Sequence, residues 1–291
     1  MPDNLSPAVT ALFALPDHAL IVLQGPDATA FAQAQFANDV SALAPGHWQW
    51  NAWLTPKGRV IALFALLKQA HDHLLLVVPD GEAGELASQL QGLVFRRKLK
   101  VVTDADHQVA GRFLPPVCAR NAQTGVSTDQ WELDYGSAHA PRSLLVVAAE
   151  AALPIDTDAS ARWRVEDLKH GLPRLSTEQH GQWTPQQLSL ERLPAFSVKK
   201  GCYPGQEIVA RTHFLGKAKR GLALFQANAA VAPGTLVETA EGQSLGHVIS
   251  SQTCAGTTWL LAVLPLEHDA TPCHAASVPL LAMPLLQGLQ R

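Results

Sequence analysis

Between residues 50 and 78 three apolar runs follow one another with breaks too short to hold a helical crossover. Residues 50–54 lead through Thr55-Pro56-Lys57-Gly58 into residues 60–67, and a polar break at His71-Asp72-His73 separates these from residues 74–78. Parallel neighbours need a connection of about a dozen residues, so this stretch is read as an antiparallel meander. Around it the pattern alternates. A short strand at residues 20–23 runs through Gln24-Gly25-Pro26 to Asp27, which is placed as the N-cap of a helix carrying Ala28, Phe31, Ala32, Gln35 and Val40. A helix at residues 82–93, with Leu86, Leu90 and Leu93 on one face, leads to the basic run Arg96-Arg97-Lys98-Leu99-Lys100 and another strand. No regular βαβ repeat appears, which places the chain in the α+β class.

Further along, residues 144–149 form another apolar run, and residues 161–170 read as a helix stopped by Gly171. Thr184-Pro185-Gln186-Gln187 combines an N-cap residue, proline at the first helical position and glutamine three residues past the cap, predicting a helix over 186–193 that Pro194 ends. From Gly221 onward short strands alternate with Pro233-Gly234, Glu241-Gly242 and Ala255-Gly256, the pattern of a closed β-barrel. The expected organisation is an α+β region over 1–220, built as two interleaved subdomains, and a barrel over 221–291.

Composition narrows the function. At 291 residues with 47% hydrophobic and 16% charged, the chain can bury a core without staples and is not disordered by composition. The first lysine or arginine is Lys57, so a secretory leader with its basic start is not expected, and the apolar runs are too short to span a bilayer. Both point to the cytoplasm and away from membranes. Cys118, Cys202, Cys254 and Cys273 include no C-x-x-C pair and are read as free thiols, with no metal site expected. The net charge of −3 argues against direct binding of nucleic acid over the whole surface.

That total hides a local excess. Arg192, Lys199, Lys200, Arg211, Lys217, Lys219 and Arg220 face a single acid, Glu207, within residues 192–220. Such a window suits an anionic partner or a solvated charged face. Inside it lies Lys200-Gly201-Cys202-Tyr203-Pro204-Gly205-Gln206-Glu207, a tight glycine-proline turn running into a helix. Cys202 is expected just outside that helix N-terminus, where backbone N–H groups and the adjacent lysines favour the thiolate. A reactive thiol and a small residue filling a buried turn both suit the position. The window has only Phe196, Tyr203 and Phe214 for base stacking, which places an RNA adaptor behind the other readings.

The octapeptide 200–207 resembles the K-G-C-Y-x-G-Q-E signature of the YgfZ family of folate-binding proteins, relatives of the glycine-cleavage T-protein. Leu23-Gln24-Gly25-Pro26-Asp27 with Asn38-Asp39-Val40, the turn Thr55–Arg59, and the stretch from Trp163 to Pro173 ahead of Pro185-Gln186 resemble further family segments in the same order. The resemblance implies a T-protein-like body of antiparallel sheets with packed helices followed by a C-terminal β-barrel. It also implies binding of tetrahydrofolate or another folate derivative, and support of iron–sulfur cluster assembly or repair and thereby of tRNA modification. Iron–sulfur enzymes or cluster-assembly proteins would be the partners.

By that resemblance Cys202 is the candidate functional thiol, and Trp163, His18, Lys200, Tyr203, Gln206, Glu207 and Arg211 are the candidate folate-binding residues. His18 stands where the family has a second tryptophan, and Lys169 where the T-protein has a glutamate, a loss that Asp167 or Glu166 could make good. Arg96, Arg97, Lys98 or the basic window could receive the glutamate tail. The alternative activity, aminomethyl transfer of the glycine-cleavage type, needs an aspartate just past the strand at 74–78, and only Asp80 is available for it.

Overall fold

The computed structural model describes residues 11–79, 83–127, 130–216, 218–267 and 272–291. The first layer begins with β1 (Phe13–Ala14), which joins a different sheet, and then β2 (His18–Gln24), α1 (Ala28–Gln35), β3 (His47–Leu54), β4 (Val60–Ala70), β5 (His73–Pro79), α2 (Ala83–Gly92) and β6 (Lys100–Thr103). Its five strands are ordered β3-β4-β5-β2-β6, every pair antiparallel, and α1 and α2 cover one face. Both faces are buried. On β4, Ala62, Phe64 and Leu66 pack under the helices while Leu63, Ala65 and Leu67 enter the central core, which is why the run at 60–67 shows no polar alternation.

A second sheet is formed by β7 (His107–Arg112), β8 (Gly125–Ser127), β9 (Gln130–Asp134) and β10 (Ser143–Ala148), ordered β1-β7-β10-β9-β8 and again antiparallel. After α3 (Thr157–Lys169) and α4 (Gln206–Phe214), the strands β11 (Arg220–Ala227), β12 (Leu236–Thr239), β13 (Ser244–Cys254), β14 (Thr257–Pro265), β15 (Cys273–Ala275) and β16 (Val278–Met283) close a barrel in the order β11-β14-β13-β12-β15-β16. Antiparallel sheets with packed helices and a closed barrel are the architecture expected from the sequence.

Three local expectations need correction. Asp27 stands at the N-cap of α1 but its side chain does not cap; its carboxylate instead accepts the Lys98 N–H at 2.6 Å, tying the helix start to the segment before β6. The helix α3 begins at Thr157, with the Asp156 carboxylate accepting from Ala159 N–H, four residues before the expected start. At Thr184 the reciprocal capping bonds form, Thr184 N–H to Gln187 Oε1 at 3.0 Å and Gln187 N–H to Thr184 Oγ1 at 3.3 Å. No α-helix follows them. Ser189 turns left-handed at φ 48°, and its hydroxyl oxygen accepts the N–H of Leu222 in β11 at 3.0 Å, so the capped turn is diverted to anchor the barrel.

Residues 284–291 leave the barrel and cross back over the body. Leu286 N–H donates to the Lys169 carbonyl and Arg192 donates to the Leu286 carbonyl, while Trp50 Nε1 donates to the Leu289 carbonyl at 2.8 Å. Leu289 is buried in the central core shared by the two sheets. Truncating it leaves a void that packed neighbours cannot close, so Leu289→Ala should lower unfolding free energy by about 2–4 kcal/mol, read as a lower urea midpoint at unchanged slope.

Candidate functional site

Two places in this fold bring chemistry-bearing residues together. The first is the octapeptide turn. Ser197 Oγ accepts the N–H groups of Lys199 and Lys200, Tyr203 OH donates to the Ser197 carbonyl at 3.1 Å, and Gln206 Nε2 donates to the Lys200 carbonyl at 3.2 Å. Lys200 points inward. Its ammonium donates to the carbonyls of Gln33, Phe36 and Asn38 at 2.6, 2.6 and 2.9 Å and lies 5.0 Å from the Tyr203 ring centroid. Two of those carbonyls belong to the end of α1, which carries no basic residue in its last turn, so Lys200 supplies the cation that this helix terminus favours.

The turn is also locked from outside. Gly205 sits at φ +81°, and a Cβ there would meet the Cα of Gly58 at 2.5 Å and the Thr55 carbonyl oxygen at 2.7 Å. The Thr55–Gly58 hairpin turn and the cysteine turn are therefore docked backbone to backbone, which only glycine allows. Cys202, three residues ahead of the Gly205 N-cap of α4, is exposed and does not fill a buried turn. Glu207 and Arg211 are exposed on α4, Gln206 is half-buried and Tyr203 is buried.

The basic window is not one cationic face. Arg192 and Arg220 donate to the carbonyls of Leu286 and Leu245, and Lys200 is buried. Lys199, Arg211 and Lys219 remain exposed, and Lys217 lies outside the described residues.

The second place is the junction of both sheets, α3 and the barrel. The Asp167 carboxylate, fully buried, accepts from Arg142 Nη1 at 2.8 Å and from Arg174 Nη2 and Nε at 2.7 and 3.1 Å. Arg174 also reaches Asp17 at 3.5 Å, and Asp17 accepts from Arg164 Nε at 2.9 Å. Burial works to raise both carboxyls, but His18, Arg174 and Arg164 beside Asp17, and Arg142 and Arg174 beside Asp167, hold both well below the usual carboxylate range. His18 is pushed the other way, down, by burial and by Arg174, with the neighbouring Asp17 opposing them. Glu166 is paired with Lys169 at 2.9 Å.

Trp163 is fully buried against this network. It stacks on Tyr135 with centroids 5.6 Å apart, and the Arg142 guanidinium lies 4.5 Å from its ring centroid. Among the described residues several buried polar atoms here have no hydrogen-bond partner: both ring nitrogens of His18, whose Nδ1 lies 3.7 Å from Asp17 Oδ1, Nε and Nη2 of Arg142, and Nε1 of Trp163. Orphaned buried donors are rare in proteins and mark places where a ligand or water completes the bonding. Openings reach the network from more than one side. His18 lines a cleft of about 660 Å³ between the two sheets, and Arg164 and Arg174 line a cavity of about 240 Å³ between α3 and β13. Asp80, the residue required by the aminomethyl-transfer alternative, lies outside the described residues.

Sequence reasoning reached Trp163, His18 and Asp167 but missed Asp17, Arg142, Arg164 and Arg174. These carry no motif, and the available signal was the presence of ionisable residues beside strongly apolar stretches. Among the described residues no cluster of histidine, cysteine and acidic side chains could hold a metal ion, and no helix is long and apolar enough to cross a membrane.

An antiparallel two-sheet body with a closed barrel attached is the fold of the glycine-cleavage T-proteins. The aminomethyltransferase T of Bartonella henselae superimposes with a TM-score of 0.72 over 97% of this chain and 88% of its own, at 16% identity. In sequence the chain belongs to the YgfZ family of tRNA-modifying proteins. The tRNA-modifying protein YgfZ of Yersinia enterocolitica is 30% identical over 87% of this chain and 84% of its own length, and that of Serratia proteamaculans is 29% identical over 92% and 88%. An uncharacterized protein of Haemophilus influenzae is 30% identical over 90% and 91%. No protein-family model matches the chain.

Two outcomes follow for the turn and the junction. Burial pushes the Lys200 ammonium down to about 8 from its ordinary 10.5, so the fold bears the cost of a charged lysine below pH 8 and sheds it as pH rises toward 10.5. The stability advantage of the wild type over Lys200→Met should therefore widen between pH 8 and pH 10 in parallel urea titrations. Asp167→Asn removes the carboxylate that pairs with the buried Arg142 guanidinium and should cost about 3–5 kcal/mol, read in the same titrations at pH 7.

Proposed function

We propose that the protein binds tetrahydrofolate, or a closely related folate, at the junction of its sheets and barrel. With Cys202 as its functional thiol, it supports iron–sulfur cluster assembly or repair and thereby tRNA modification in the cytoplasm. The observation that carries the folate reading is the group of unpartnered buried nitrogens on His18, Arg142 and Trp163, of which His18 lines a cleft of about 660 Å³, a size that admits a small-molecule ligand. A folate fits that setting chemically. Its pterin edge has both donors and acceptors for imidazole and indole nitrogens, and its carboxylates suit guanidinium groups. His18 would meet the pterin edge, and Trp163 would contribute its indole N–H, since Tyr135 and Arg142 already lie against its ring.

In this reading the lysine, tyrosine and glutamine of the octapeptide serve the turn: Lys200, Tyr203 and Gln206 fix the backbone from which Cys202 is presented. Exposed Glu207 and Arg211 would contact the client protein rather than the folate. The relatives named as tRNA-modifying proteins support the tRNA link, and iron–sulfur enzymes or cluster-assembly proteins are the partners that such a link requires.

Isothermal titration with tetrahydrofolate tests the binding directly. Saturable binding is expected for the wild type, with a loss of about tenfold or more in His18→Ala if one to two hydrogen bonds are removed. Absence of wild-type binding would overturn the folate reading. For the thiol, Cys202→Ser should retain folate affinity and folding yet fail to restore methylthiolated tRNA nucleosides in cells lacking the protein; full restoration would remove Cys202 from the mechanism. Aminomethyl transfer, the other chemistry of this fold, predicts methylene-tetrahydrofolate formation from an aminomethyl-lipoyl carrier, and none is expected here.

A further inference from the structure

We propose that the turn between α2 and β6 is a docking site for a single-stranded segment of RNA, with a nucleobase stacked on Phe95 and the flanking phosphates on Arg96, Arg97, Lys98 and Lys100. The choice of RNA over DNA rests on the tRNA reading above; the choice of a nucleic acid rests on the turn itself. Phe95 is 88% exposed, and its backbone is left-handed at φ 50°. A bulky residue in that region is an outlier, and an exposed ring recovers nothing by burial to offset the strain. The fold thus bears two costs to hold an aromatic side chain in water.

The turn is held firmly on both sides. Val94 and Leu99 are buried in the core between α1, α2 and the first sheet, and the Arg97 N–H closes onto the Val94 carbonyl at 3.0 Å. The Lys98 N–H is taken by the Asp27 carboxylate at 2.6 Å, and the Lys98 carbonyl lies so close to Gly25 that no Cβ fits there. Between these anchors Phe95, Arg96, Arg97 and Lys98 are all exposed, as is Lys100 at the start of β6. Four of the five residues 96–100 are therefore cations facing water on a fixed backbone, and Asp27, the acid beside them, is turned to the main chain. A net charge of −3 speaks against a basic coat over the whole surface, not against a basic turn.

The Arg96 guanidinium lies 5.3 Å from the Phe95 ring centroid, so aromatic and cation form one platform. That combination grips single strands, because every base offers a π face and the phosphates on either side of it meet cations. A bilayer or the apolar face of a partner helix would call for several apolar side chains. Within residues 93–100 Leu93 is the single other exposed one. The turn also lies apart from the junction: β2 pairs its Gln24 with Lys100 and carries His18 at its other end, about 20 Å away along the strand.

Fluorescence anisotropy of a labelled, unpaired RNA of roughly 12 nucleotides, with a duplex of the same length beside it, tests the site between about 50 and 200 mM salt. Saturable binding of the single strand is expected, with log affinity falling against log salt at a slope of about −3, the value for four phosphates on a single strand. Phe95→Ala should lose about tenfold in affinity at unchanged slope, and Arg96→Gln combined with Arg97→Gln should flatten the slope by about 1.4. Arg120→Gln removes an exposed cation between β7 and β8 and should change neither. All of these side chains are exposed, so the variants should keep the wild-type urea midpoint. Absence of RNA binding, tighter binding of the duplex, full affinity in Phe95→Ala, or capture by phosphatidylserine vesicles in place of RNA would overturn the proposal. If RNA is not bound while the wild-type chain restores methylthiolated tRNA nucleosides in cells lacking the protein, the site falls and the tRNA reading stands. If RNA is bound through Phe95 but the wild-type chain restores none, the site stands and that reading falls.

Discussion

The carboxylate of Asp167 is the point at which the layers of this molecule meet. It projects from α3, takes hydrogen bonds from Arg142 at the entry to β10 and from Arg174 on the far side of the helix, and through Arg174 connects to Asp17 ahead of β2. The Arg174 main-chain N–H reaches Ser250 of β13 at 3.4 Å, so the barrel joins the same network. Ion pairs at this depth repay their desolvation only when geometry and additional bonds are good, and here the bonding is incomplete in a directed way. Asp167 is saturated, whereas His18, Arg142 and Trp163 keep unused nitrogens. A junction built to hold the layers together thus also retains capacity for a polar ligand.

Packing around that junction explains why it can be both rigid and polar. Trp48 and Trp50 on β3, Tyr135 and Trp163 form a continuous aromatic cluster, with Trp48 to Tyr135 at 6.0 Å and Trp50 to Tyr135 at 5.2 Å. Segment 284–291 closes over it, through Leu289 in the core and Arg291 donating to the Gly136 carbonyl at 2.7 Å. The cysteine turn sits at a separate edge, held by Lys200 in the carbonyls at the end of α1 and by Gly58 against Gly205. The junction and the cysteine turn are thereby both packed against one scaffold, β3 and β4 with their hairpin.

Much of the fold was legible because its signals are local. Short breaks at 55–58 and 71–73 demanded antiparallel pairing, and glycine-proline punctuation after 220 marked the barrel strands. The octapeptide was legible as a tight turn before a helix. What misled was equally local. Thr184 and Gln187 make every bond of a capping box, yet the backbone leaves the helical path at Ser189 because the hydroxyl there serves β11. Asp27 has the right type and place for a cap, but the Lys98 N–H, 71 residues away, outcompetes the helix for it. The basic window looked like one surface, while Lys200 and Arg192 were in fact committed to carbonyls far along the chain.

By itself, the sequence determined the element types, the antiparallel class, the barrel and the turn that presents Cys202, since these follow from periodicity, break length and backbone freedom within a few residues. Only the tertiary structure decided which ionisable side chains share a buried space. Asp17, Arg142, Arg164, Asp167 and Arg174 span more than 150 positions and meet through the packing of two sheets, one helix and a barrel. Coulomb energy depends on distance through space and on the absence of water between the charges, and neither quantity is written along the chain.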